Sequence, residues 1–270
     1  MKNKRLIIIL SVFSFLVLIA VLCSTVFTVK SVSLRWLTTT NLLNQKDSEI
    51  IEDVQLGESV FLVDKEAIIT KLENKYPYLK VVSVEVQFPN KLVVHTAERQ
   101  SLYSLKIKDN KHVIMDAECK VLAFATDSKL DSMSQKPIPL TLDGYVYNEI
   151  NFEESKVAEL GWIKNIINNF SIALYQCGYE EVDSKNIISS IEIDVSGHNE
   201  EIQIGMAYKD IYGKGGVNIE IQEISQNLSA KFIYAMEAYA ELSAEEKSEG
   251  LIRVYSNSLG KVVVEYSPEE

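Results

Sequence analysis

The stretch PYLKVVSVEVQFPNKLVVHTAER, residues 77–99, decides the fold. Val82, Val84, Val86 and Phe88 alternate with Ser83, Glu85 and Gln87, the period-two pattern of a half-buried strand with one apolar face. Pro89-Asn90-Lys91 breaks the run as a turn. Leu92, Val94 and Thr96 then share one face of a second strand, opposite Val93, His95 and Ala97. Upstream, VDKEAIITKLENKYP (63–77) places Ile68, Ile69, Leu72 and Tyr76 at helical spacing, with Asp64 as cap and Pro77 as stop. SEIIEDV (48–54) predicts a shorter helix capped by Asp47 or Ser48, and VKSVSL (29–34) predicts a short strand followed by a polar loop. The local order is strand, helix, helix, strand, strand.

Working toward the N-terminus, Leu6–Val29 contains no charged residue. At about 1.5 Å per residue, a helix of this length crosses a hydrocarbon core of roughly 30 Å. Lys2, Lys4 and Arg5 precede it, which predicts a cytoplasmic tail over 1–5, a transmembrane helix over 6–29 and an extracytoplasmic remainder. The run exceeds the apolar region of a cleaved secretory signal and lacks a small-x-small site. Leu22 before Cys23 is too large for a lipoprotein signal. An uncleaved single-pass anchor is therefore expected.

Every acidic residue lies beyond this span, where 24 cations face 38 anions, a net charge of −14. That balance argues against nucleic acid, whose binding depends on cations neutralising phosphates. It also disfavours adhesion to anionic lipid or wall polymer. Cys119 and Cys177 are the two cysteines outside the span. They could pair in an oxidising compartment, but two cysteines so far apart are more often buried or incidental.

Beyond Arg99 the strand pattern continues through SLYSLKIKDN (101–110) and KHVIMDAECKVLAFA (111–125), with a turn at 108–111. A looser segment containing Pro137 and Pro139 follows. A long helix is expected over 152–177, with Val157, Leu160, Ile163, Ile167, Phe170 and Leu174 on one side and Gly178 as its stop. Three strand-like runs come next: IISSIEIDVS (187–196), EEIQIGMAY (200–208) and GGVNIEIQEI (215–224). A second helix over 225–247 directs Leu228, Ile233, Met236, Tyr239 and Leu242 inward, and the hairpin LIRVYSNSLGKVVVEY (251–266) closes the chain.

No catalytic, metal or cofactor site is expected. His95, His112 and His198 lie far from any cysteine or second histidine at ligand spacing. Asp116 and Glu118 share one face if locally extended, where a solvated strand face is the ordinary reading of paired carboxylates. Gly213-Lys214-Gly215-Gly216 precedes a strand, whereas a phosphate loop must open a helix. The sequons at Asn169 and Asn227 fall on expected helices.

A basic tail, one span and then strand-helix-helix-strand-strand resembles the bacterial cell-division proteins FtsQ and DivIB, with their membrane-proximal POTRA domain. The resemblance rests on Pro77, Lys80, Val84, Val86, Phe88, Pro89, Leu92, Val94, Glu98 and Arg99. Asp116 with Val121 and Leu122 is similar to the family's next element, and GLIRVYSNSLGKVVVEY to its C-terminal strand pair. Ser101 stands where the family often has proline, and Ala117-Glu118-Cys119 replaces its glycine-containing turn.

The resemblance implies an α+β chain with an N-terminal transmembrane helix. A POTRA domain (βααββ) over 30–101 and a C-terminal β domain over 102–270 would follow, the latter with a mixed sheet, two long helices and an edge-strand hairpin. It implies a non-enzymatic septal scaffold in the cell membrane, with no small-molecule substrate. Such a scaffold would bind other membrane-anchored division proteins with coiled-coil ectodomains and couple them to septal peptidoglycan synthesis. On a terminal hairpin, strand addition at a sheet edge is the expected mode of binding, with Leu251, Arg253 and Tyr255 on one strand and Val262, Val264 and Tyr266 on the other as contact residues. Several of these six could equally face the core. A POTRA-bearing transport or secretion component and a membrane-anchored wall enzyme are the alternative readings.

Overall fold

A computed structural model describes residues 2–37, 47–54, 56–107, 110–144, 152–158, 160–179, 181–194, 201–206 and 216–268. The Gly213-Lys214-Gly215 part of the glycine-rich loop and His198 lie outside these residues. The chain divides into two compact units, Met1–Arg99 and Gln100–Glu270.

The first unit opens with helix α1, Lys2–Thr25. Its side chains are described over residues 8–21, where all are exposed. Among the described residues no helix is long and apolar enough to cross a membrane. The apolar run read to Val29 is divided: the helix stops at Thr25, and Val29 is buried in the core of the globular part.

Strand β1 (Ser31–Trp36), helices α2 (Asp47–Asp53) and α3 (Lys65–Lys75), and strands β2 (Leu79–Gln87) and β3 (Lys91–Glu98) then follow in the βααββ order. β3 is central, parallel to β1 and antiparallel to β2. Asp64 caps α3 by accepting the Ala67 N–H at 3.0 Å. Leu72 and Tyr76 pack inward with Ile50, Leu79, Val81, Val84, Leu92 and Val94.

The alternation read for β2 is broken by a bulge between Val81 and Ser83. One extra residue shifts the phase, so Leu79, Val81 and Val84 are buried while Val82 points outward, half exposed. Phe88, beyond the strand, is exposed as well. The unit is closed by Arg99. Its guanidinium donates to the Glu73 carboxylate at 2.9 Å, and the other oxygen of Glu73 accepts the Val81 N–H at 2.9 Å. This buried pair ties the end of β3 to α3 and β2.

The second unit is a nine-stranded mixed sheet under two helices. In chain order its elements are β4 (Tyr103–Lys106), β5 (Lys111–Met115), β6 (Val121–Thr126), α4 (Asp127–Asp131), β7 (Ile138–Asp143), α5 (Trp162–Gln176), α6 (Glu181–Ile187), β8 (Ile188–Asp194), β9 (Glu201–Met206), β10 (Val217–Gln222), α7 (Leu228–Glu241), β11 (Gly250–Ser256) and β12 (Val262–Ser267). Across the sheet the order is β12-β11-β10-β9-β8-β7-β4-β5-β6. Ile163, Ile166, Ile167 and Phe170 of α5 and Phe232, Ala235 and Met236 of α7 join the alternate residues of the strands in one core. The rings of Phe170 and Phe232 meet at 5.1 Å.

Three expectations change here. The segment holding Pro137 and Pro139 contains a strand, β7, between β4 and β8. Ile138 donates its N–H toward the β4 side, to Leu102 O, so position 139 turns toward β8, where pairing begins only at Leu140. A missing N–H is tolerated there. Helix α5 begins at Trp162 rather than near 152, after Gly161 at φ +56°, because residues 155–158 pair instead with residues 119–121 at the entry to β6. In α7 the fully buried Lys231 donates from Nζ to the carbonyls of Gln222 and Glu223, both at 2.8 Å. That satisfies an ammonium placed where only apolar side chains were expected.

Candidate functional site: the open edge of the sheet

The terminal hairpin forms one border of the sheet, and each part of it has a local cause. Gly250 starts β11 at φ +149°, and an added Cβ would stand 2.7 Å from the Tyr266 ring. Glycine lets that ring lie over the backbone, where its hydroxyl donates to Glu246 O at 3.1 Å and Glu249 O at 3.2 Å. At the other end, Asn257 Oδ1 accepts the N–H groups of Leu259 and Lys261, both at 3.0 Å, and Gly260 supplies a positive φ. The connection is thus held by its own side chain, which fixes the register of the strands it joins.

That register fixes which backbone groups are free. Asn257 donates to Lys261 O at 2.9 Å, and the same phase continues through Tyr255↔Val263, Arg253↔Glu265 and Leu251↔Ser267. Antiparallel pairs alternate between bonded and non-bonded, so Val262, Val264 and Tyr266 direct their N–H and C=O groups away from β11. Among the described residues no strand lies beyond β12.

The six contact residues named from sequence fall on two opposite faces. Val262, Val264 and Tyr266 stand opposite Ser256, Val254 and Ile252 and pack, partly buried, against the core. Leu251, Arg253 and Tyr255 share the opposite face of the sheet. There a cross-strand row runs Glu192, Gln203, Glu220, Arg253, Glu265, one guanidinium among carboxylates. Arg253 donates to both carboxylate oxygens of Glu220, at 3.3 and 3.4 Å, and Glu220 raises its pKa. Tyr255 donates its hydroxyl to Glu265 at 2.7 Å, which together with partial desolvation pushes the phenol up. Sequence reasoning missed Gly250, Asn257, Glu220 and Glu265; a glycine at the strand start and an asparagine two residues before Leu259 were the available signals.

Asp116 is buried and turns inward on itself, unlike the solvated face expected for it. Its carboxylate accepts the N–H groups of Glu118 and Lys120 at 2.9 and 2.8 Å, and Cys119 takes φ +60°. This is a turn staple, with the cysteine in the left-handed position that glycine usually fills. Among the described residues no group of three His, Cys, Asp or Glu side chains could hold a metal ion.

The βααββ unit joined to a mixed sheet with one open border defines a POTRA-bearing protein. Residues 39–99 match the family model for the FtsQ-type POTRA domain. The chain is 26% identical over 179 residues to the cell division protein DivIB of Clostridium botulinum strain Hall, covering 64% of each chain. It is 25% identical over 197 residues to DivIB of the Loch Maree strain, covering 69% of this chain and 72% of that one. The matched stretch thus spans just under two thirds of the length of the first of these relatives. The chain is thus similar to FtsQ-type POTRA domains over residues 39–99 and, at about a quarter identity, to DivIB cell division proteins.

Proposed function

We propose that the protein is a non-enzymatic scaffold of the bacterial division septum. It binds other membrane-anchored division proteins outside the cytoplasm and couples them to septal wall synthesis. The family supports the division role, since the relatives are cell division proteins by name. The observation that carries the mechanism is the open border at β12, where three consecutive outward-facing backbone positions offer donors and acceptors to a partner strand. Main-chain hydrogen bonds would supply affinity there. Specificity would come from the neighbouring outer face, where Arg253 and Tyr255 stand among Glu220 and Glu265.

The anchor in this reading rests on the sequence of α1. Within α1 the uncharged stretch Leu6–Thr25 spans roughly 30 Å as a helix, and three basic residues precede it. Partners anchored in the same membrane meet the open edge at high effective concentration, which suits a single strand as the contact. A fluorescent fusion of the full chain is expected to concentrate at midcell. Co-purification is expected to recover small single-pass proteins with coiled-coil ectodomains. Uniform membrane distribution without such partners would contradict the proposal.

A further inference from the structure

Three phenylalanines meet on the first unit where the chain leaves α1. Phe27 lies two residues past the helix end, and its ring centroid is 5.3 Å from Phe61 and 6.4 Å from Phe88. Phe61 and Phe88 are 5.7 Å apart. They come from three separate segments, yet Phe61 is 59% and Phe88 65% exposed, and Leu62 beside them is 80% exposed. Large apolar side chains gathered on a surface mark a contact, whereas scattered ones carry no message.

The backbone holds this cluster in place. Val60 donates to Phe27 O at 2.8 Å, Val29 to Glu58 O at 2.8 Å, and Lys30 to Asn90 O at 2.8 Å. The segment leaving the helix is therefore clamped between the loop carrying Phe61 and the turn following Phe88. Only Val26 separates the end of α1 from this clamp. Two residues reach about 7 Å at full extension, and the rings add roughly one side-chain length. The polar zone on each side of a bilayer is about 5–8 Å deep. With α1 as the anchor, the rings cannot avoid that zone.

We propose that Phe27, Phe61, Leu62 and Phe88 form a foot that inserts into the interfacial layer of the bilayer and fixes how the first unit stands on the membrane. Its ligand is the boundary between headgroups and acyl chains of neutral phospholipid. Aromatic rings favour this depth, having an apolar body in a region that is partly wet. Net charge offers no electrostatic route: residues 30–99 carry 9 Lys and Arg against 10 Asp and Glu, a net charge of −1, so the unit has no basic excess to hold it to anionic lipid. The foot rests on the reading of α1 as a membrane anchor.

The test reconstitutes the full chain into phosphatidylcholine vesicles, with Phe61→Trp, Phe88→Trp or Leu62→Trp as reporters. Three reporters guard against one that disturbs the fold. Each is compared with the parent chain, whose background comes from Trp36 and Trp162. The foot predicts a blue-shifted added emission, strongly quenched by lipid brominated near the top of the acyl chain and unchanged in high salt. A parallel alkaline carbonate wash reports whether α1 holds the chain in the bilayer. A chain that resists the wash while its reporters stay unquenched, with the emission of indole in water, overturns the foot and leaves the anchor standing. Release by the wash overturns the anchor and the foot together. Reporters shielded only when other membrane proteins are added also overturn it, because the patch then covers a protein.

Discussion

The two borders of the nine-stranded sheet are finished in opposite ways. At the start of β6, residues 155–158 pair with the turn and the first residue of the strand: Val121 donates to Lys156 O, Ser155 to Val121 O and Ala158 to Cys119 O, at 2.8–2.9 Å. The covering segment displaces the start of α5 by some ten residues from where apolar spacing alone would put it. At β12 nothing comparable is present among the described residues, and the edge strand is VVVEYS, with one charge. An unbulged edge with a single charge is an invitation to pairing, which proteins normally suppress. One border of the sheet is therefore stapled at its start, the other has no such staple among the described residues, and the proposed contact lies at the second.

The largest effect expected from breaking this contrast lies at the covered border. Cys119 sits in its turn, fully buried, and burial next to Asp116 pushes its thiol up to about 12. From an ordinary value near 9, that shift cuts the thiolate fraction about a thousandfold at mildly alkaline pH. Alkylation of the native chain is expected to modify the half-exposed Cys177 and spare Cys119 until the fold opens. The sign for stability follows: the folded state keeps a proton that the unfolded thiol releases. Stability is intact below pH 9 and falls as pH rises from 9 toward 12. Equal labelling of both cysteines under native conditions would show the β6 border open.

A smaller loss is expected from Asp116→Ala, which leaves two N–H groups of the turn without their acceptor. The cost should be about 3 kcal/mol, read as a lower midpoint in urea unfolding with an unchanged slope. Binding at β12 should persist in the fraction that remains folded. Smaller again is Gly250→Ala at the open border. The added methyl must displace the Tyr266 ring and strains a positive φ, for a loss of about 1–2 kcal/mol. Because Tyr266 is the last outward-facing position of β12, partner affinity should fall along with stability. A variant with unchanged stability would mean that the ring does not lie over Gly250.

What could be read from the sequence divides along the same line. Elements whose apolar spacing serves one core were legible: α3 with its Asp64 cap, the β2–β3 pair, the strands of the second unit other than β7, and the terminal hairpin. Features made by one inserted or one paired residue were not. The bulge that turns Val82 outward leaves no mark in an alternating run, and Pro139 argued against the strand it occupies. Asp116 looked like half of an exposed carboxylate pair because nothing in the sequence shows its two bonds to Glu118 and Lys120. At the candidate site, alternation separated the hairpin's two faces without saying which was buried. The register set by Asn257 does say so: Val262, Val264 and Tyr266 give side chains to the core and backbone to the edge, and Arg253 and Tyr255 give side chains to the surface. The register also shows that β11 is internal, with Ile252 and Val254 fully buried, so truncating the whole hairpin would damage the fold as well as the edge.

The most direct measurement of the edge-strand mechanism is therefore made on β12 alone, by comparing Val264→Pro with Val263→Pro. Proline at 264 removes an N–H that points away from β11, while proline at 263 removes one that pairs with Tyr255. The account predicts that Val264→Pro keeps the unfolding midpoint close to the parent and weakens partner binding at least about tenfold, through one lost hydrogen bond and the bulk of the ring. Val263→Pro should instead lower the midpoint itself. Val264→Pro chains that stay folded and bind partners with parental affinity would contradict strand addition at this edge.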